Sequence, residues 1–210
     1  KNINYLGFYD SKYLIEEIRY IQTCSELFYK KEKIVNLESF LKKSKKKKED
    51  ILISSEAFSG SISTSLIGSC TQIEMISKRI KKIFDDPCII IFLRNQRDAI
   101  YSLYKDDIQL GHTMSFNKWF KERKKNNALN YFLYYEIIKH YHEIFGKNNV
   151  KVFFYEELFA NNGVMKFLKS LNFNIKNEHQ KIISFEKTNE SQSDFVIKLS
   201  RFINRLIPTK

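Results

Sequence analysis

The stretch CIIIFLRNQRDAIYSLYKDD, Cys88 to Asp107, changes character halfway along: an apolar, β-prone run stops at Arg94, Asn95, Gln96, Arg97 and Asp98, and a helical pattern begins. A continuous apolar run of this kind predicts a strand buried on both faces, as in a parallel sheet covered by helices. A strand ending at a cationic turn, with a helix opening just behind it, is where α/β folds hold anions, because the helix N-terminus offers N–H groups and a positive dipole end. The expected ligand is a phosphate.

Outward from this stretch, helical and strand patterns alternate. Leu14, Ile18, Ile21 and Phe28 mark an amphipathic helix from about Ser11 to Tyr29, and KIVNLESFL reads as a turn of helix near a strand. The lysine-rich run within LKKSKKKKED, residues 42–50, is expected as a solvated loop. ILISS from Ile51 predicts a short buried strand, and Ile73, Ile76, Ile80 and Ile83 a helix that ends before Asp85-Asp86-Pro87. Beyond the central stretch, a helix is expected from Asp98 to about Asp107, broken by Gly111, and another after Ser115 as its N-cap. Leu133, Ile137, Tyr141, Ile144 and Phe145 mark a helix that Gly146 stops, VKVFFY from Val150 a third strand, and Val164 to Leu171 a further helix. Phe195, Leu199, Phe202 and Leu206 space a closing helix. Strands separated by helices imply crossovers and a parallel sheet flanked by helices, so the class is α/β and residues 1–210 are expected as one domain.

Composition narrows the function. Among 210 residues, 43% are hydrophobic and 15% aromatic, which argues against disorder, and no apolar run approaches the roughly twenty residues of a membrane span. Cys24, Cys70 and Cys88 are too few and too scattered for a disulfide framework, and no signal-peptide pattern opens the chain, so a reducing cytoplasm is the expected compartment. His112, His140, His142 and His179 lack metal-ligand spacing. A net charge of +12 favours an anionic partner, of which nucleic acid is one. The chain opens Lys1-Asn2-Ile3 and enters almost at once into a helical pattern, so a segment upstream, with a first strand, is expected to be missing.

Ligands of such sheets lie beyond the carboxyl ends of the strands. Three ends are readable: SSE after Ile53, RNQRD after Leu93, and YEEL after Phe154. Arg94 follows its strand directly and Ser102 lies eight residues on, so a two-pronged guanidinium and a hydroxyl can close on one phosphate. The alternative is an arginine that caps the strand end through Asp98 and a serine that faces solvent.

IFLRNQRDAIYSLY resembles the 3′-phosphate segment of sulfotransferases that use 3′-phosphoadenosine 5′-phosphosulfate, with Leu93-Arg94-Asn95, Asp98 and Ser102-Leu103-Tyr104 in frame. It departs at Gln96, where many members have proline, and in this it looks like the bacterial branch. VFFYEELFAN, Val152 to Asn161, is similar to the family's strand ending in Tyr-Glu-Asp-Leu, and ILISSEAF to the strand before the 3′-phosphate segment. The resemblance spans about Ile51 to Phe173, and more loosely TNES near Asn189. It implies a P-loop nucleoside triphosphate hydrolase-like fold, the phosphosulfate nucleotide as co-substrate with no obligatory metal, and sulfuryl transfer to a hydroxyl or amine of a glycan, lipid or small molecule. It assigns Arg94 and Ser102 to the 3′-phosphate and Tyr155 to the vicinity of the nucleotide. Family members use histidine or glutamate as base, which makes Glu56 the candidate; the alternative is Glu56 as an N-cap or a lysine's partner. The family's 5′-phosphosulfate loop, with its lysine or arginine, has no counterpart: SGSISTS, Ser59 to Ser65, carries no cation and follows the wrong strand. Two rival readings are a small nucleotide-dependent kinase and a non-enzymatic basic protein that binds nucleic acid or another anionic surface.

Overall fold

The computed structural model describes residues 3–6, 12–47, 50–55, 58, 69–160, 162–171 and 193–206. The fold is mixed α/β and mostly helical. In chain order come β1 (Ile3–Leu6), α1 (Lys12–Thr23), α2 (Val35–Lys46), β2 (Asp50–Ile53), α3 (Ser69–Ile83), β3 (Ile89–Leu93), α4 (Gln96–Gln109), α5 (Phe116–Lys125), α6 (Tyr134–Phe145), β4 (Val150–Phe154), α7 (Gly163–Ser170) and α8 (Asp194–Leu206). They group into two compact units: Lys1–Ser63 with Gly68–Ile89 and Glu136–Val150, and Thr64–Ile67 with Ile90–Tyr135 and Lys151–Lys210.

In the first unit β1 and β2 pair in parallel, Ile3 opposite Asp50 through Leu6 opposite Ile53. Strand β1 lies where the sequence predicts an almost immediate entry into a helix, because a four-residue strand is too short to declare a period. Helix α1 buries Leu14, Ile18 and Ile21 against Ile34 and Leu37. Full burial of an Ile or Leu side chain contributes about 1.5–3 kcal/mol, so this cluster anchors the unit. The helix stops at Thr23, and Phe28, expected on its stripe, is exposed. Glu17 of α1 accepts hydrogen bonds from the backbone N–H groups of Asn36 and Leu37 (3.1 and 2.7 Å), so it caps the first turn of α2 from a neighbouring helix. The lysine-rich run is a loop only in part: α2 carries it to Lys46, with Lys42, Lys43 and Lys45 exposed on a helix whose buried side holds Leu37 and Ser44. In α3, Ile73, Ile76 and Ile80 are buried as their spacing predicts.

In the second unit β3 pairs with β4. The expected continuous sheet is therefore, among the described residues, two sheets of two strands, with β2 joined to β1 and not to β3. This also corrects the burial of β3. Leu93 is buried and Ile89 to Ile91 half-buried, but Phe92 is 41% exposed, because a single neighbouring strand covers less than a layered sheet would. The Phe92 ring still finds Phe153 and Phe167 at 5.7 and 5.0 Å. Tyr104 and Ile108 of α4, Trp119 of α5 and Ile197 of α8 form the unit's core. Ser115 does precede α5, but its side chain makes no capping bond. Gly146 follows α6 at φ +83°, a left-handed conformation that a side chain would strain, and it ends the helix as expected.

Candidate anion-binding site

Where β3 ends at buried Leu93, the chain emerges at Arg94, which is exposed. Asn95 is the N-cap of α4: its Oδ1 accepts from the backbone N–H groups of Arg97 (3.0 Å) and Asp98 (3.3 Å), two donors that a helix start leaves without intrahelical partners. The backbone N–H of Asn95 itself donates to Glu156 Oε1 at 2.7 Å. Glu156 lies in the 3-10 turn Tyr155–Phe159 that follows β4 directly. The tails of the paired strands are thus tied together by one short hydrogen bond across 61 residues of sequence.

This arrangement changes the answer to what sits at the head of α4. The Glu156 carboxylate and the Asn95 amide oxygen accept from the N–H groups of Asn95, Arg97 and Asp98 at the head of α4. Gln96 Nε2 donates to the Phe132 carbonyl, which holds the turn from the other side. The donors left for an external anion are side chains and the Gln96 backbone N–H, which makes no bond among the described residues. Among the described residues no hydrogen bond or ion pair engages the Arg94 guanidinium, and the alternative in which it pairs with Asp98 is not realised. Ser102 is half-buried about two turns into α4, with no hydrogen bond among the described residues.

Electrostatics locate Arg94 further. Partial desolvation of its carboxyl, and then Asp107 beside it, raise the pKa of Asp106 above the ordinary carboxylate value, and Arg94 opposes them. Desolvation likewise raises Tyr134, with Tyr131 and Glu156 adding to it and Arg94 again opposing. The guanidinium therefore lies within electrostatic reach of Asp106 and Tyr134. An anion bound to Arg94 would compete with the Asp106 carboxylate for one positive charge.

Helix α4 is fixed behind the site by an element that the sequence reading missed. Asp107 is fully buried and its Oδ2 accepts from Trp119 Nε1 and Arg123 Nη2, both at 2.6 Å. Nothing in the spacing 107, 119, 123 marks it, because the partners belong to two helices whose packing only the fold decides. Tyr155 is 40% exposed and stands edge-on to Phe159 at 5.0 Å, an aromatic surface at the tail of β4. Arg94, Ser102 and Tyr155 thus all belong to the second unit.

Glu56 lies outside the described residues, as does the SGSISTS segment. Of its neighbours, Ser54 is exposed and Ser55 is half-buried, accepting from Gln22 Nε2 at 3.0 Å. Among the described residues no group of three or more His, Cys, Asp or Glu is arranged to hold a metal ion. No helix among them is long and apolar enough to cross a membrane. No family model matches the chain, and no curated protein or solved structure matches it significantly.

Proposed function

We propose that this chain is a sulfotransferase domain of P-loop-like architecture that binds 3′-phosphoadenosine 5′-phosphosulfate and serves transfer of its sulfuryl group to a hydroxyl or amine, with a glycan or small molecule as acceptor. The observation that carries the reading is the 2.7 Å bond from the Asn95 N–H to Glu156. It joins the two segments that resemble the family's landmarks, with an exposed arginine just before α4, a half-buried serine about two turns into that helix and Tyr155 on the adjoining turn.

In this reading Arg94 grips the 3′-phosphate with two parallel N–H donors and Ser102 adds one bond from α4. Asn95 and Glu156 hold the turn so that the guanidinium is presented outward and not drawn onto the helix head. Tyr155 offers its ring beside the nucleotide. The bound nucleotide supplies the sulfuryl group in activated form. Glu56, which follows ILISS in the sequence, takes the acceptor proton in the manner of a general base. The departure from the family pattern is the 5′-phosphosulfate loop: Gly7 to Ser11 include no lysine or arginine, and the first cation after β1 is Lys12, at the start of α1.

The test is equilibrium binding of adenosine 3′,5′-bisphosphate against AMP at two salt concentrations. The reading expects the bisphosphate to bind at least about tenfold tighter, which is the worth of one charge-assisted pair of bonds, at both salts. Equal affinities that collapse together with salt would replace it with a non-specific anion binder.

A further inference from the structure

Helix α8 presents two unlike faces. One is spent on the second unit: Ile197, 3% exposed, packs with Tyr104, Ile108 and Trp119; Asp194 accepts from the Tyr101 hydroxyl at 2.8 Å; and Asn204 Nδ2 donates to the carbonyls of Ile108 and His112 at 2.8 and 3.1 Å. The other face carries Phe195, Val196, Leu199, Phe202, Ile203 and Leu206, all exposed, with Phe195 at 75%, Phe202 at 59% and Leu206 at 66%. At about 100° per residue these six fall within an arc of about 120°. Soluble helices usually turn such a stripe inward and their polar residues outward. Here the polar residues Asp194 and Asn204 face the protein and the apolar arc faces out.

The charges beside the arc say what it meets. Lys198 and Arg205 are exposed and lie about 40–60° beyond Phe202 along one flank, where the acidic residue, Asp194, is engaged by the Tyr101 hydroxyl. We infer that α8 is an interfacial anchor that lies flat on an anionic lipid surface, its phenylalanines and leucines in the headgroup–acyl boundary and Lys198 and Arg205 on the lipid phosphates. Its thirteen residues span about 20 Å, enough to lie along a bilayer and too short to cross it. The net charge of +12 adds a long-range attraction of the same sign.

A second copy of the chain fits the helix less well. In an isologous antiparallel pair each flank of the stripe meets the same flank of its copy, so a flank that carries Lys198 and Arg205 against the one Asp194 would meet its own net positive charge. One thirteen-residue stripe also falls short of the roughly 800 Å² per partner that stable interfaces bury. A bilayer has neither restriction, since it needs only apolar area and anionic headgroups.

Vesicle flotation tests this with phosphatidylcholine vesicles and with phosphatidylcholine mixed with phosphatidylglycerol. The anchor predicts binding to the mixed vesicles at least about tenfold stronger than to phosphatidylcholine alone. Phe195→Ser with Phe202→Ser, at positions already exposed, is expected to reduce mixed-vesicle binding about tenfold or more while Trp119 fluorescence stays native. Lys198→Gln with Arg205→Gln is expected to reduce it about fivefold per residue. No binding to the mixed vesicles overturns the inference. So does binding that the phenylalanine pair leaves unchanged, which would be lysine-driven adhesion, and so does a dimer of the full chain that the pair dissolves, which would make the face a contact between copies.

Discussion

Replacing Asp107 with alanine is the most direct probe of what holds α4 and its candidate site in position. Its Oδ2 accepts two bonds of 2.6 Å, one from the Trp119 indole and one from the Arg123 guanidinium, and the carboxylate is fully buried. Truncation leaves the guanidinium, itself 15% exposed, without its counter-charge and the indole N–H without an acceptor. Breaking a buried pair by removing one partner costs about 3–5 kcal/mol. The indole bond shares the same acceptor atom, so its loss is counted within that range and not added to it. For a chain of 210 residues about 2–4 °C of Tm accompanies each kcal/mol, which gives a fall of roughly 6–20 °C. Asp107→Asn retains an acceptor but not the charge and is expected to lose about half as much. Asp107→Leu combined with Arg123→Met is expected to recover most of the loss, because the second carboxylate oxygen, Oδ1, is buried with no partner among the described residues and its desolvation is relieved.

Trp119 is the sole tryptophan of the chain, so the assay reads this network without labelling. Intrinsic fluorescence should shift to the red in Asp107→Ala as the indole loses its partner and gains water, and thermal unfolding followed at the same wavelength should report the lowered midpoint. A midpoint within about 2 °C of the parent, with unshifted emission, would refute the account of this network as the clasp between α4 and α5.

Three further outcomes are expected. Arg94→Ala should weaken adenosine 3′,5′-bisphosphate binding by about 1.5–3 kcal/mol and leave AMP nearly unchanged, with Ser102→Ala a weaker copy of the same effect; calorimetric titration of both nucleotides decides it, and equal losses would remove the 3′-phosphate role. Asp106, whose folded pKa is raised by desolvation and by Asp107, lends stability below the unfolded carboxylate pKa and loses it as pH rises through the raised value. Asp106→Asn should therefore raise Tm near pH 7, with the gain vanishing under acid conditions, and should tighten bisphosphate binding by freeing Arg94; a Tm difference independent of pH counts against the linkage. Glu56→Gln, in a chain competent for sulfuryl transfer, should lower kcat by roughly 10²–10⁴-fold with nucleotide affinity intact, as steady-state kinetics would show; near-normal turnover returns Glu56 to a structural role.

Several elements were legible in the residues for a physical reason that acts locally. The isoleucines of α3 recur at helical spacing and are buried as that spacing demands. The abrupt change at Leu93 and Arg94 marks the end of β3, while α4 starts at Gln96, two residues before the expected Asp98, because the Asn95 side chain reaches the N–H groups two and three residues on. Gly146 stops α6 because its positive φ costs a glycine little. Each of these depends on neighbours within a few residues, and a linear reading contains those neighbours.

Other features depended on partners that sequence distance hides. Four residues, Ile3 to Leu6, carry too little period to declare a strand until β2 supplies their hydrogen bonds. The lysine run looked like loop because its charges dominate the composition, yet α2 runs through it, tied down by Leu37 and Ser44 on the buried side. The Glu156 carboxylate that accepts the Asn95 N–H at the head of α4 comes from 61 residues away, a partner no local pattern could show. Burial of Asp107, and the outward turn of α8's apolar face, follow from which helices pack together. The sequence by itself determined where the chain bends, caps and buries its periodic stripes, because those choices are made by side chains and backbone within one or two turns. Only the tertiary structure decided which carboxylates meet which donors and which apolar face is left to solvent, because those depend on the meeting of segments whose separation along the chain costs little once loop closure, growing only logarithmically with length, has been met.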